Sequence, residues 1–158
     1  MEKIQLIKHH KGAPLLRMFG IGYKPIIING LSQLQKLLEE NTFWAKGRNK
    51  QQICKMLQHS TVVVSLWRHN QLIGFGRATS DLVFRAVLWD LVVDEDYQGL
   101  GLGRLIVEAI LTNKKIKSVE KIYLMTTNCS EFYQQLGFKI INKQSLLILN
   151  KNDCLFLS

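Results

Sequence analysis

Three glycines in the segment Gln98-Gly99-Leu100-Gly101-Leu102-Gly103 constrain the fold of this chain more than any other feature. The segment lies between an apolar run at 86–93, typical of a strand, and an amphipathic stretch at 104–115, typical of a helix. Glycine accepts the left-handed conformations that a tight turn needs, and a turn that opens a helix leaves backbone N–H groups free at its positive end. The segment therefore predicts a turn, directly after a strand, that binds an anion such as a phosphate.

Two common nucleotide-binding motifs do not explain this turn. A mononucleotide-binding loop ends in Gly-Lys-Ser or Gly-Lys-Thr, whereas Gly103 is followed by Arg104-Leu105. A dinucleotide fingerprint reads Gly-x-Gly-x-x-Gly, and counted from Gly99 its third glycine position is Arg104. The sequence therefore favours an anion other than the ligands of these two motifs.

Composition limits the architecture and the class of partner. The 158 residues, 47% of them hydrophobic, are enough for one domain with a single core. The net charge is +9, with ten Lys and Arg against three Asp and Glu in residues 1–60. This excess predicts either a solvated basic surface or attraction of a polyphosphate ligand or a nucleic acid. The three cysteines are widely spaced, so we expect free thiols and no metal site.

Hydrophobic periodicity predicts an α/β (α+β) fold with a mixed, mostly antiparallel sheet flanked by helices. We expect residues 1–24 to be a basic, loosely ordered arm and residues 25–158 to be a single domain. Helix-like spacing of leucines predicts a helix at 31–40, with Ser32 as a cap, and His69-Asn70 predicts a hairpin turn with positive φ at Asn70. The predicted strands are 26–28, 61–68, 71–78, 84–93, 121–125, 138–141 and 146–149, and the other predicted helices are 49–58, 104–115 and 131–136.

Two motifs at compatible spacing make the chain resemble the GNAT N-acetyltransferases over residues 26–149. Gln98-x-x-Gly101-x-Gly103 is similar to the coenzyme A pyrophosphate loop of that family, and Phe132-Tyr133-Gln134-Gln135-Leu136-Gly137-Phe138 is similar to its Phe-Tyr-x-x-x-Gly-Phe segment. Stretches such as Phe43-Trp44-Ala45 and Arg85-Ala86-Val87-Leu88-Trp89-Asp90 resemble the plastid and cyanobacterial branch, which includes plant serotonin and lysine N-acetyltransferases. The resemblance implies the GNAT acyl-CoA N-acyltransferase fold.

The resemblance also implies acetyl-CoA as a cosubstrate and no metal. The residues expected to bind the coenzyme lie at the end of the strand before the turn, in the turn itself, and near the start of the last helix. At the last of these positions Thr126 stands where many family members have Asn, so Asn128, Thr126 or Thr127 would contact the pantetheine arm. The coenzyme-binding set is Leu91, Val92, Val93, Gln98, Gly99, Leu100, Gly101, Leu102, Gly103, Arg104 and Asn128.

Three residues are candidates for catalysis. Asp90 is a lone carboxylate in an apolar strand, and burial among apolar side chains makes a carboxylate a better proton acceptor, so Asp90 is the candidate base. The alternative is that Asp90 anchors a backbone N–H or pairs with Arg85 or Arg77. Tyr97 matches a position associated with catalysis or substrate positioning in the resembling branch, and Tyr133 resembles the family tyrosine that protonates the departing thiolate.

The sequence therefore predicts an N-acetyltransferase that moves acetyl from acetyl-CoA to a primary amine by direct attack. The acceptor is an arylalkylamine such as serotonin, or a protein lysine or N-terminus, and we expect neither a membrane nor a nucleic acid as partner. The alternative is a non-catalytic, basic nucleic-acid-binding module that keeps the fold, supported by Arg48 and Lys50 near Phe43 and Trp44. We expect a plastid location, with a bacterial or cyanobacterial cytoplasm as the alternative.

Overall fold

One five-stranded sheet dominates the computed structural model, which describes residues 3–9 and 29–149. Its strands are β1 (Ile4–Lys8), β2 (Val62–Arg68), β3 (Gln71–Ser80), β4 (Arg85–Val93) and β5 (Lys121–Tyr123), and they pair in sequence order. The pairs β1–β2, β2–β3 and β3–β4 are antiparallel, and the pair β4–β5 is parallel. The prediction of a mixed, mostly antiparallel sheet is therefore confirmed.

Four α-helices accompany the sheet in the part of the chain that the structure describes. They are α1 (Gly30–Asn41), α2 (Lys50–Gln58), α3 (Leu102–Leu111) and α4 (Ser130–Gln134), and a short 3-10 helix spans Glu95–Tyr97. The chain forms two compact units, Met1–Met125 and Thr126–Ser158, and the sheet with α1, α2 and α3 belongs to the first. The predicted boundaries at 1–24 and 25–158 stay a prediction.

Asparagine side chains fix where α1 and α2 begin. The Ser32 N–H donates to Asn29 Oδ1 at 3.1 Å, so Asn29 rather than Ser32 caps α1. At α2, Asn49 and Gln52 form a reciprocal capping box, each side chain accepting from the other residue's backbone N–H at 2.9 Å. These caps satisfy N–H groups that a helix leaves without partners and stabilise the first turn of each helix.

Apolar side chains cover the sheet on both faces. Leu34 and Leu38 of α1 and Ile53 and Leu57 of α2 are fully buried and pack in one cluster with Trp67 and other sheet residues. Side chains alternate along a strand, so the neighbouring residues of β2 and β3 point to the opposite face, where α3 lies. On that face Ile106 and Ile110 lie close to the two glycines of β3, Gly74 and Gly76.

The pairing of β3 with β4 is interrupted by a bulge. Phe75 pairs with Val92 and Arg77 pairs with Trp89, so Gly76 alone lies opposite two residues, Asp90 and Leu91. Asp90 has a φ of +50°, which is uncommon for a residue with a side chain. A bulge of this kind bends the strand and redirects a side chain, and bulges are frequent next to active sites.

Several local predictions differ from the structure. Residues 4–8, expected in a loosely ordered arm, form β1, because Ile4–Lys8 find a pairing partner in β2. In the hairpin His69, not Asn70, has positive φ, as in a type II′ turn. The apolar composition of β4 predicts burial on both faces, but only alternate residues of the strand are buried. The predicted strand at 26–28 lies outside the described residues.

The predictions for α3 and for the last strands also need correction. The helix begins at Leu102 rather than Arg104. The helical periodicity predicts that Leu105 faces the sheet, but Leu105 is 42% exposed. Residues 138–141 and 146–149 form no strand, and their isoleucines and leucines are exposed. Apolar composition alone does not make a strand, because a strand is stable only when it pairs with a neighbour.

We expect Gly76→Ala to destabilise the fold because the new Cβ would lie 2.6 Å from Ile106 Cγ2. Overpacking of this kind costs about 1–3 kcal/mol, which urea unfolding measures directly. Gly74→Ala is the matched control: it lies on the same strand and against the same isoleucine, but its nearest contacts are 3.1 Å away. Equal losses for the two variants would contradict this account.

Candidate active site

The glycine turn places free backbone donors at the start of α3. Gly99 and Gly101 both have positive φ, +77° and +76°, and Gly101 is the N-cap of α3. The first intrahelical bond runs from the Leu105 N–H to the Gly101 carbonyl, so the N–H groups of 101–104 have no partner within the helix. Gly103 therefore lies inside the first helical turn, not before it. Four adjacent N–H groups at a positive helix end can bind an anion.

The last part of β4 has an unpaired edge beside this turn. β5 pairs with β4 only from Arg85 to Val87, and within the described residues no other strand pairs with that edge of β4. On that edge, residues 88–93 have backbone N–H and C=O groups without a strand partner, and a ligand with amide groups can pair with them. The Gln98 side-chain amide donates to the Val93 carbonyl at 3.0 Å, so this one acceptor already has a donor.

Asp90 lies at the bulge and binds two arginines. Its side chain is 3% exposed; Oδ1 accepts from Arg48 Nη1 at 2.9 Å and Oδ2 accepts from Arg77 Nε at 2.6 Å. The expected alternative of a pair with Arg77 is therefore present, whereas Arg85 instead pairs with Glu120 at 3.4 Å. A buried carboxylate needs such compensation, and here each oxygen has its own cation.

The two arginines are held to different degrees. The Arg77 side chain is 13% exposed, its guanidinium lies 5.7 Å from the centre of the Trp89 ring, and Nη1 reaches Ser60 Oγ at 3.5 Å. The Arg48 side chain is 30% exposed, and its polar partners among the described residues are Asp90 and the Met56 sulfur, at 3.6 Å. The Arg48 backbone carbonyl accepts from the Gln35 side chain at 3.0 Å. Arg48 is therefore anchored at its backbone, and its side chain is the more exposed of the two arginines.

Tyr97 has a partner of its own. Its hydroxyl accepts from Arg68 Nη1 at 2.7 Å, and the Arg68 guanidinium lies 5.5 Å from the centre of its ring. Arg68 is at the end of β2 next to the hairpin, whereas Arg77, the partner of Asp90, pairs with Val63 near the start of β2. The structure thus brings Asp90 together with Arg48 and Arg77, and Tyr97 together with Arg68.

A shallow cavity of about 280 Å³ lies between the end of α1 and the glycine turn. Two exposed aromatic rings, Phe43 and Trp44, pack edge to face with their centres 5.0 Å apart, and Phe43 lines this cavity. A hydrogen bond from the Glu95 N–H to Asn41 Oδ1, 2.9 Å, connects the two walls. The lining residues are Glu40, Asn41, Thr42, Phe43, Lys46, Glu95 and Gln98.

The second unit carries Tyr133 and Asn128. The Tyr133 ring packs edge to face against Phe132 and Phe138, with centres 4.9 and 5.9 Å apart. Burial, with a smaller contribution from the Cys129 thiolate, raises the pKa of Tyr133 from 10.0 to about 12. Asn128 Oδ1 lies 3.4 Å from the Cys129 sulfur, and Thr126 Oγ1 accepts from the Cys129 N–H at 3.1 Å. Tyr133 therefore keeps its proton at neutral pH.

Two further observations concern partners and metals. Among the helices of residues 3–9 and 29–149, none combines the length and the apolar character needed to cross a bilayer. The same residues contain no group of three His, Cys, Asp or Glu side chains placed to hold a metal ion. Cys54 and Cys129 are free thiols, and Cys154 lies outside the described residues.

Comparison with known proteins matches the sequence of this chain with a family. Residues 58–140 match the sequence profile described as an acetyltransferase (GNAT) domain. An uncharacterized N-acetyltransferase, ycf52, from Porphyra purpurea is 34% identical over 113 residues, which cover 68% of this chain and 64% of the relative. The chloroplastic serotonin N-acetyltransferase 2 of Oryza sativa is 36% identical over 99 residues, or 58% of this chain and 48% of the relative.

A solved structure has the same fold. The acetyltransferase of the GNAT family from Streptococcus pneumoniae superposes with a TM-score of 0.69 at 19% identity, over 94% of this chain and 99% of that protein. The chain spans less than two thirds of the length of the ycf52 relative and about half of the rice enzyme.

The raised pKa of Tyr133 predicts a late tyrosine titration. The absorbance of ionised tyrosine in the native protein, minus that of Tyr133→Phe, should rise with a midpoint at about pH 12. Because the folded pKa lies above the unfolded value, Tyr133 contributes stability that is full below pH 10 and is lost as the pH rises through about 12. Cys129→Ser should lower the midpoint, and a difference that titrates at pH 10 would contradict the burial.

Proposed function

Because the chain belongs to the GNAT family of acetyltransferases, we propose that it transfers an acetyl group from acetyl-CoA to a primary amine by direct attack. Members of this family use acetyl-CoA and no metal. The observation that carries the proposal is the unpaired edge of β4 beside the free N–H groups of α3. The edge of β4 can pair with the amides of the pantetheine arm, and the N–H groups of α3 can bind the pyrophosphate.

The pyrophosphate would bind to the glycine turn and the first turn of α3. Backbone N–H groups of residues 100–104 would donate to its oxygens, and the helix dipole adds positive potential. Gly99 and Gly101 would have no neighbouring atom within 4 Å of an added Cβ, so the backbone there is open to a ligand. Gln98 would keep the turn close to β4 through its bond to Val93.

The pantetheine arm would pair with Leu91, Val92 and Val93 at the end of β4. A backbone N–H of this segment would donate to the thioester carbonyl as negative charge develops on its oxygen, a contribution of about 3 kcal/mol when the donor is well aimed. The family resemblance assigns a further contact with the arm to Asn128, Thr126 or Thr127, which belong to the second unit. This segment is available on the β5 side because β5 pairs with β4 only from Arg85 to Val87, and the bulge redirects the backbone just before it.

Asp90 would be the proton acceptor in the transfer. The amine arrives as an ammonium ion and first gives one proton to Asp90. The neutral nitrogen then attacks the thioester carbon and the C–S bond breaks, and the second amine proton replaces the one that the departing thiolate takes, a transfer that the family resemblance assigns to Tyr133. Both oxygens of Asp90 accept from arginines, so the incoming amine meets a carboxylate that already has two cationic partners. Tyr97, bound to Arg68 at 2.7 Å, would position the substrate.

The acceptor that we favour is an arylalkylamine. The exposed edge-to-face pair Phe43 and Trp44 beside the cavity at the end of α1 offers an apolar surface for an aromatic ring. The rice relative, named as a chloroplastic serotonin N-acetyltransferase, supports the same class and a plastid location. A protein lysine or N-terminus is the other acceptor class, and acetylation of an amine and peptide panel, followed by mass spectrometry, decides between them.

Acetyl-CoA binding should depend on the left-handed turn at Gly101. An alanine there is disfavoured by about 1 kcal/mol and shifts the N–H groups, so we expect Gly101→Ala to weaken acetyl-CoA about fivefold in calorimetric titration. Gly47→Ala is the matched control, because Gly47 has the same φ, +75°, and equally open surroundings. No binding to the native chain, or equal weakening in both variants, would refute the site.

Asp90→Asn should slow acetyl transfer without abolishing coenzyme binding. Loss of a general base lowers the rate by about 10²-fold or more, and a thiol-release assay with a reactive amine measures it. The variant also removes the counter-ion of Arg48 and Arg77, so its folding is checked by urea unfolding and its acetyl-CoA affinity by calorimetry. Unchanged turnover in a folded variant would remove Asp90 as the base.

A further inference from the structure

Arg48 and Arg77 differ in exposure at Asp90, and this difference suggests how a cationic substrate binds there. One buried carboxylate balances two guanidinium groups, so the cluster of Asp90, Arg48 and Arg77 already carries a net charge of +1. A primary amine is almost wholly protonated at neutral pH, so it arrives as a cation. A third cation beside one carboxylate would be repelled, whereas a cation that replaces Arg48 leaves the net charge unchanged.

Arg48 is the arginine that can leave. Its side chain is more than twice as exposed as that of Arg77, 30% against 13%, and it makes one bond to Asp90. Its backbone carbonyl stays bound to Gln35, and the N–H of the preceding Gly47 donates to Glu39 at 2.8 Å, so the loop keeps its position while the partly exposed guanidinium turns toward solvent. Arg77 is retained by Trp89 and Ser60.

We propose that Arg48 determines specificity by occupying the position of the substrate's ammonium group on Asp90 Oδ1. This inference rests on the proposed function and deepens it: a cationic amine binds by exchanging with the Arg48 guanidinium, and a neutral molecule of the same shape cannot. The exchange frees Oδ1 from Arg48 and brings the substrate nitrogen to the carboxylate that receives its proton. Without a cationic substrate, Arg48 keeps the buried charge of Asp90 compensated.

The exchange is tested by binding, separately from turnover. The probe is tryptamine, with the isosteric alcohol tryptophol as its neutral counterpart, titrated calorimetrically into the protein saturated with CoA. In Arg48→Gln the competing cation is gone, so we expect tryptamine to bind about tenfold more tightly than to the native chain, and tryptophol to be unchanged. In turnover, KM for tryptamine should fall while kcat stays within about twofold.

Arg85→Gln is the matched control. It removes the same charge, but from an exposed pair with Glu120 that does not include Asp90. It should leave tryptamine binding unchanged. Arg48→Met keeps a long, flexible side chain without the charge, and its expected result is the same. It replaces Arg48→Gln if that variant fails to fold. A purely structural Arg48 would give weaker tryptamine binding in both variants.

The outcomes separate the two proposals. Tighter tryptamine binding in the Arg48 variants, without acetyl transfer by the native protein, would support the exchange and refute the proposed function. Acetyl transfer by the native protein, with tryptamine binding equal or weaker in Arg48→Gln, would overturn the exchange alone. Equal tightening of tryptophol would also overturn it, because charge would not be what Arg48 competes for.

Discussion

The break in the pairing between β3 and β4 is the constraint on which the candidate site depends. Gly76 alone lies opposite Asp90 and Leu91, and it must be glycine because Ile106 of α3 fills the space where a Cβ would be. The bulge interrupts the pairing of β3 with β4, which resumes at Val92 and Val93, and β5 leaves the other edge of this segment free. The same stretch of β4 therefore carries both the redirected Asp90 and the open strand edge.

The bulge also fixes the electrostatics of the site. It holds Asp90 at positive φ and buried, where an isolated charge would be very unfavourable. Arg77 from the neighbouring strand and Arg48 from the loop between α1 and α2 compensate it, one at each oxygen. Because Arg48 comes from a loop, the sheet gains a charged partner that can move without disturbing the core.

Part of the site could be predicted from the sequence because its signals are local. The glycine turn before α3 and the β-rich runs of β2 and β3 are signals that act over a few residues. The pairing of Arg48 with Asp90 spans 42 positions along the chain, and nothing local indicates it. At 146–149 a local signal predicted a strand that the structure does not contain, because apolar composition cannot specify a partner strand.

The sequence by itself determined that a glycine turn would follow a strand and open a helix, because glycine at positive φ and helix-like periodicity are properties of short segments. It also singled out Asp90, because a carboxylate in an apolar strand stands out without any structure. Only the tertiary structure decided what surrounds that carboxylate. The sheet and the loop between α1 and α2 bring two arginines to it, and charge compensation at a buried site depends on contacts between distant parts of the chain.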